Sequence, residues 1–309
     1  MVATISASAT TSRQARARRG KPIDRQWSVP YRFLLPYLIV FSIFWFWPLI
    51  YSFLLSFQNT RVNPWTIDVA VNWRRLWVDQ AFHAALRNTL IVLVLQVPIM
   101  LALATAIALA LDSPKLAARP LFRFAFFAPI VVSDVAYSVI FRLLFNGQYG
   151  AVNQALTAIG LPALDWLHDP TWMMATIIIA VTWRWTGYNA IIILAGLQTI
   201  PKDLYEAAAI DGAGAWRRFR HITLPLLKPV IVFALVLSVI GTMQLFTEPW
   251  LITDAQSSGV SIEMLGTYLF KQGFRNLNFG YASAIAYTIA AMAAAMAAFN
   301  LLLSRRSSS

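Results

Sequence analysis

Apolar residues in this chain gather into long blocks instead of alternating with polar ones on the short periods of a soluble fold. Six blocks of about 20 residues or more, at 32–57, 88–111, 122–146, 172–197, 227–249 and 281–303, are each long enough to cross a hydrocarbon layer as a helix. Backbone inside lipid must satisfy its own hydrogen bonds, so each block is predicted to be helical, and the two-residue alternation of a membrane barrel is missing. The expected fold is all-α: a six-span integral membrane domain over 32–304, between a basic tail at 1–31 and a short tail at 305–309.

The polar stretch at 198–226, between the fourth and fifth blocks, is unusually rich in small residues. Pro201 suits a first helical turn, and Asp203 and Glu206 sit near that helix N-terminus, where negative charge is favoured. A short helix is predicted from Pro201 to Ile210, with Ala207, Ala208 and Ala209 permitting close approach by another backbone. Gly212 supplies a turn, Ala215 to His221 a second short helix, and Pro225 the start of the next span.

Charge sets the expected orientation. Of the net +12, most lies in the N-terminal tail, at Lys115, Arg119 and Arg123, at Lys202, Arg217, Arg218, Arg220 and Lys228, and at Arg305 and Arg306. The opposite flanks hold only Arg61, Arg74, Arg75, Arg87, Lys271 and Arg275. Cytoplasmic flanks retain lysine and arginine, so both termini and the 198–226 insert are predicted to be cytoplasmic, with loops near 58–87, 147–171 and 250–280 outside. The same placement beside spans argues against nucleic-acid binding. The Ser-, Thr-, Ala- and Arg-rich tail is expected to be disordered and able to touch anionic lipid. The first apolar run is too long for a cleaved signal and is expected to remain as a span.

Candidate chemistry is sparse. No cysteine is present, which excludes disulfides and thiolate sites, and His83, His168 and His221 are scattered, so no metal site is expected. No Gly-rich phosphate loop followed by Lys-Ser or Lys-Thr occurs, so nucleotide work must come from a partner. No paired acid–base or nucleophile arrangement suggests an enzyme. Asp134, Arg184 and Glu248 fall in or near spans, where an unpaired charge costs about 2.5–3.5 kcal/mol, so each needs a partner or an aqueous cavity. Asp134 and Arg184 are expected to pair across spans three and four.

The pattern Glu206-Ala207-Ala208, three residues, Gly212, nine residues, Ile222, one residue, Leu224-Pro225 resembles the cytoplasmic coupling loop of bacterial ABC importer permeases. Ile200 to Tyr205, Asp211 to Ala213, Phe219 and His221 to Pro225 resemble the carbohydrate-uptake branch, which includes maltose, lactose and glycerol-phosphate permeases. Arg87 to Leu90, Trp183 through Asn189, Ala195 to Gln198 and Phe279 to Ala282 extend the resemblance over most of the chain after residue 30. It implies the six-helix type I permease fold and a short helix that docks into a groove on a separate ATPase. Glu206 would then contact the ATPase, Ala207 and Ala208 would allow close packing, Gly212 would set the turn, and Asp211 would cap or orient the second helix. The motif positions Phe219, Ile222, Leu224 and Pro225 complete the coupling loop.

Implied partners are a second, related permease, two ATPase subunits that bind ATP and Mg, and an extracytoplasmic solute-binding protein. The implied cargo is a disaccharide or short oligosaccharide, with glycerol phosphate or a polyol as an alternative. Aromatic faces and amide groups suit a sugar, which makes Trp183, Tyr188, Asn189, Gln244, Phe246 and Glu248 candidates for the cargo path, against ordinary packing for each aromatic. An ion-coupled transporter using Asp134 or Glu248 is the rival from another class. The sequence departs from many relatives at Thr253 to Gly259, where they carry a Gly-Gly-Pro loop.

Overall fold

The structure, a computed structural model, describes residues 28–59, 66–68, 70–253 and 262–306. The expected disordered tail lies outside these residues up to position 27, as do residues 254–259 of the departing loop and the end of the chain after Arg306.

Two compact units divide the chain after Leu54. The first contributes one apolar helix, built from α1 (Ser28–Phe41), a π-helical turn at Ser42–Phe46 and α2 (Trp47–Leu55).

The second unit begins with two-residue strands, β1 (Gln58–Asn59) and β2 (Thr66–Ile67), paired antiparallel with Gln58 opposite Ile67. There follow α3 (Val71–Val78), α4 (Gln80–Asp112), α5 (Arg119–Val131), α6 (Asp134–Leu144), α7 (Ala151–Ala158) and α8 (Pro170–Leu197). The chain continues through α9 (Lys202–Ile210), α10 (Ala215–Arg218), α11 (Leu224–Met243), α12 (Thr247–Ile252), α13 (Leu265–Phe270) and α14 (Phe279–Arg306). Among the described residues, five helices are long and apolar enough to cross a membrane, and a bent pair makes a sixth candidate. The all-α membrane class holds, with the small hairpin as a minor addition.

Three predicted elements differ from the structure. Block 122–146 is not one helix: α5 and α6 meet at a bend of 97°, with Val132 and Ser133 extended between them. The second short helix expected over 215–221 does not end there. Ala215 to Met243 runs as one helix of 29 residues, because the π-helical turn Phe219–Thr223 ends two residues before Pro225 and eases the clash of its ring with the carbonyl four residues back, at His221. Conversely, the fifth span stops at Met243 rather than near 249. A continuous helix would drive the Pro249 ring against the Leu245 carbonyl, so the chain breaks at Gln244 to Phe246 and restarts as α12.

The core is a helix stack in which α4 lies along α8, and α11 packs on α4, α8 and α14. Its seam is lined by small residues: Ala104, Ala108 and Ala190 are fully buried. Gly187 lets α8 touch α5, since a Cβ there would stand 1.7 Å from the Phe126 carbonyl oxygen.

One carboxylate ties the ends of several helices together. Asp79 Oδ1 caps α4 by accepting from Ala81 N at 3.0 Å and Phe82 N at 3.3 Å. Its Oδ2 accepts from the hydroxyls of Tyr268 and Tyr281, each at 2.6 Å, and Arg75 lies over the Tyr281 ring at 4.0 Å. Partial burial pushes the Asp79 carboxyl upward, but these hydrogen bonds from Tyr268, Tyr281, Phe82 and Ala81 outweigh it and hold the group below its ordinary value of 3.8. A depressed carboxyl stabilises the fold above its unfolded pKa and loses that contribution as pH falls through the folded one. Asp79→Asn keeps an acceptor but not the charge, and is expected to cost about 1–2 kcal/mol near neutral pH. Thermal unfolding of both proteins should show the difference shrinking below about pH 4; a difference independent of pH would contradict the assignment.

Candidate functional site

A cavity of 210 Å³ opens where α4, α8 and α11 face the broken ends of spans three and five. From α4 it receives Gln96 and Met100, and from α8 Trp185, Tyr188 and Asn189. Ser238 and Thr242 of α11 and the non-helical stretch from Gln244 into α12 complete the polar wall, together with Asp134 and Glu248. Five of the six sequence-derived cargo candidates, Tyr188, Asn189, Gln244, Phe246 and Glu248, therefore meet at one cavity. Trp183 does not. Five residues along a helix turn a side chain by about 140° from Tyr188, and Trp183 instead packs on Tyr137 at 6.4 Å and Phe141 at 5.3 Å.

Gln96 escaped the sequence reading because one amide inside a long apolar block barely changes a window average. It is 1% exposed. Its Nε2 reaches Met100 Sδ at 3.3 Å, while its Oε1 has no hydrogen-bond partner. Asn189 donates to the Trp185 carbonyl at 3.0 Å.

Behind the cavity wall, Arg184 holds the bend of the third span. Its guanidinium forms an ion pair with Asp134, the first residue of α6. It also donates to the carbonyls of Val132 at 2.8 Å and Pro129 at 3.4 Å, acceptors freed where α5 ends. The Tyr137 ring lies under the cation at 4.5 Å. The pair is asymmetric: the Arg184 side chain is 6% exposed and that of Asp134 54%.

The 202–210 helix stands on a separate surface. It ends in a Schellman turn: Ala213 N donates to Ala208 O at 2.8 Å and Gly212 N to Ala209 O at 3.1 Å, with Gly212 at φ 75°, a conformation glycine adopts without penalty. Asp211 occupies the C-cap of α9, and Gly214, not Asp211, precedes α10. Pro201 is the N-cap rather than a first-turn residue.

Glu206, Ala207 and Asp211 are exposed and Ala208 is half-buried. Leu204 and Ile210, at 44% and 87% exposure, add an apolar face beside Glu206 that the motif did not mark. Phe219 and Leu224 line an open groove with Tyr205, Ile222 packs on the core between α4, α8 and α11, and Pro225 lies in the first turn of α11. Tyr205 Oη and Thr223 Oγ1, 2.9 Å apart, join α9 to that long helix.

Residues 101–308 match the family described as binding-protein-dependent transport system inner membrane component. The chain belongs to this family. It is thus an inner membrane transport component, and its apolar helices are membrane spans. A lactose transport system permease protein from Rhizobium radiobacter is 42% identical to this permease over 268 residues, covering 85% of this chain and 90% of the relative. An arabinooligosaccharides transport system permease protein from Bacillus subtilis (strain 168) is 33% identical over 286 residues, covering 90% and 88%. A chain in the crystal structure of a bacterial ABC transporter involved in the import of the acidic polysaccharide alginate superposes on the permease with a TM-score of 0.80 at 26% identity, covering 92% of this chain and 97% of that one.

Proposed function

We propose that this permease forms half of the translocation path of an ATP-driven sugar importer, with both termini and the 202–210 helix in the cytoplasm. The positive-inside distribution supports that orientation. The cargo is a disaccharide or short oligosaccharide, in keeping with the names of the relatives. The cavity of 210 Å³ is smaller than the ~300–1,000 Å³ of complete ligand pockets, which fits a half-site closed by a second permease.

The observation that carries this reading is mechanical. The α9 helix presents Glu206, Ala207 and Ile210 outward, and its Tyr205 is bonded to Thr223 at the foot of the helix that walls the cavity with Thr242. A partner ATPase seated on α9 can therefore move the cavity wall through α11. Two ATPase subunits binding ATP and Mg would close on each other, turn the paired permeases and open the cavity outward. Hydrolysis and release would return it inward, which is alternating access. A solute-binding protein would deliver the cargo from outside.

The test is Glu206→Ala in proteoliposomes holding both permeases, the ATPases and the binding protein. Uptake and cargo-stimulated ATP hydrolysis are expected to fall together by about tenfold, the scale of a coupling energy between sites. Uptake that continues without ATP and ignores the substitution would move the reading to an ion-coupled transporter.

A further inference from the structure

We propose that the cavity admits uncharged, hydroxyl-bearing cargo and rejects carboxylated or phosphorylated sugars, and that Glu248 sets this selection. The inference rests on the cargo role proposed for the cavity and narrows it to a chemical class.

Charge on the wall is one-sided. Among the described residues, two carboxylates line the cavity and no lysine, arginine or histidine does. Arg184, which pairs with the lining residue Asp134, is committed: its guanidinium holds Asp134 and the carbonyls of Val132 and Pro129 behind the wall. Asp134 and Arg184 cancel, which leaves Glu248, only 6% exposed, as a net negative charge at the cavity. An anionic sugar entering here loses water, meets no free cation on this chain's wall and comes close to a like charge.

The hydrogen-bonding groups point to a hydroxyl-bearing cargo. Gln96 lines the cavity with a buried carbonyl oxygen that accepts from nothing in the described residues. Such an acceptor needs an O–H or N–H donor. A sugar hydroxyl supplies one, whether or not the sugar also carries a charge, so discrimination against anions falls to Glu248. The amide nitrogens of Gln96 and Asn189 are already donated within the protein, to Met100 Sδ and the Trp185 carbonyl.

The test uses the assembled importer in detergent without its binding protein, so that selection by that protein cannot intervene. Lactose and its counterpart with the galactose C6 hydroxymethyl oxidised to a carboxylate are compared by saturation-transfer NMR titration at neutral pH. Native protein is expected to favour lactose by about tenfold or more, the effect of one like charge at close range. Glu248→Gln should narrow that ratio to about twofold, and Gln96→Leu should weaken lactose binding, placing it at this cavity. Equal binding of the two sugars by native protein, or a ratio unchanged in Glu248→Gln, overturns the charge selection alone. Failure of lactose to bind, or lactose binding indifferent to Gln96→Leu, overturns the cargo role of the cavity itself. If Glu248→Gln does not assemble, Glu248→Asp retains the charge and decides with the native ratio: both must stay near tenfold.

Discussion

Asp134→Asn is expected to destabilise the permease by about 3–5 kcal/mol, and adding Arg184→Met in the same molecule should lower stability no further than Arg184→Met does alone. The asymmetry of the pair dictates the sign. Removing the carboxylate strands a guanidinium whose side chain is 6% exposed, with only two carbonyls and the Tyr137 ring to compensate it. Removing Arg184 alone strands a carboxylate that is 54% exposed at the cavity, which water can solvate, and leaves two carbonyls short of a donor at about 1–3 kcal/mol each. Removing both takes the buried charge away and leaves the same two carbonyls without their donor, while methionine keeps much of the packing volume, so the double variant should resemble Arg184→Met instead of summing the two losses. Thermal unfolding of the four proteins in one detergent forms a double-mutant cycle. Additive losses, or a double variant weaker than either single one, would show that the ion pair does not hold the bend.

The second large effect concerns Gly187→Ala. A Cβ at Gly187 would lie 1.7 Å from the Phe126 carbonyl oxygen and 2.5 Å from its carbonyl carbon. These are backbone atoms, so no rotamer change relieves the overlap, and α5 must move off α8 by more than an ångström. Overpacking in a tight core costs about 1–3 kcal/mol and more where backbone must shift; here the shift also pulls Pro129 and Val132 from Arg184. A loss of at least about 3 kcal/mol, with uptake at background, is expected. Gly241→Ala is the control for stability, because a Cβ there meets nothing within 4 Å and alanine gains up to ~1 kcal/mol over glycine inside a helix. Equal unfolding temperatures for the two variants would refute the close approach.

The long apolar blocks made the membrane class legible because burial in lipid is demanded residue by residue over a whole span. Breaks inside a block are set by single groups that a window average conceals. Pro129 and the Ser133-Asp134 pair mark the bend of span three, and Pro249 marks the end of span five, yet each is surrounded by apolar residues that keep the average high. The 198–226 insert was legible in its first helix and glycine turn, whose geometry is local. Its second half was not, since the π-helical turn before Pro225 depends on how the helix packs below it. At the cavity, aromatic and amide residues near chain breaks were readable. Gln96 required the fold to show which face of a 33-residue helix it occupies, and Trp183 required it for the opposite reason.

The Asp79 knot fixes one end of α4 against α13 and α14 while the other end lies near the 202–210 helix. A rod of 33 residues is about 50 Å long, so a tilt of roughly 5° about that fixed end sweeps the far end through about 4 Å. Such a lever magnifies a small rotation into a stroke the size of a side chain. Loosening its fulcrum at Tyr268 or Tyr281 is expected to blunt that stroke.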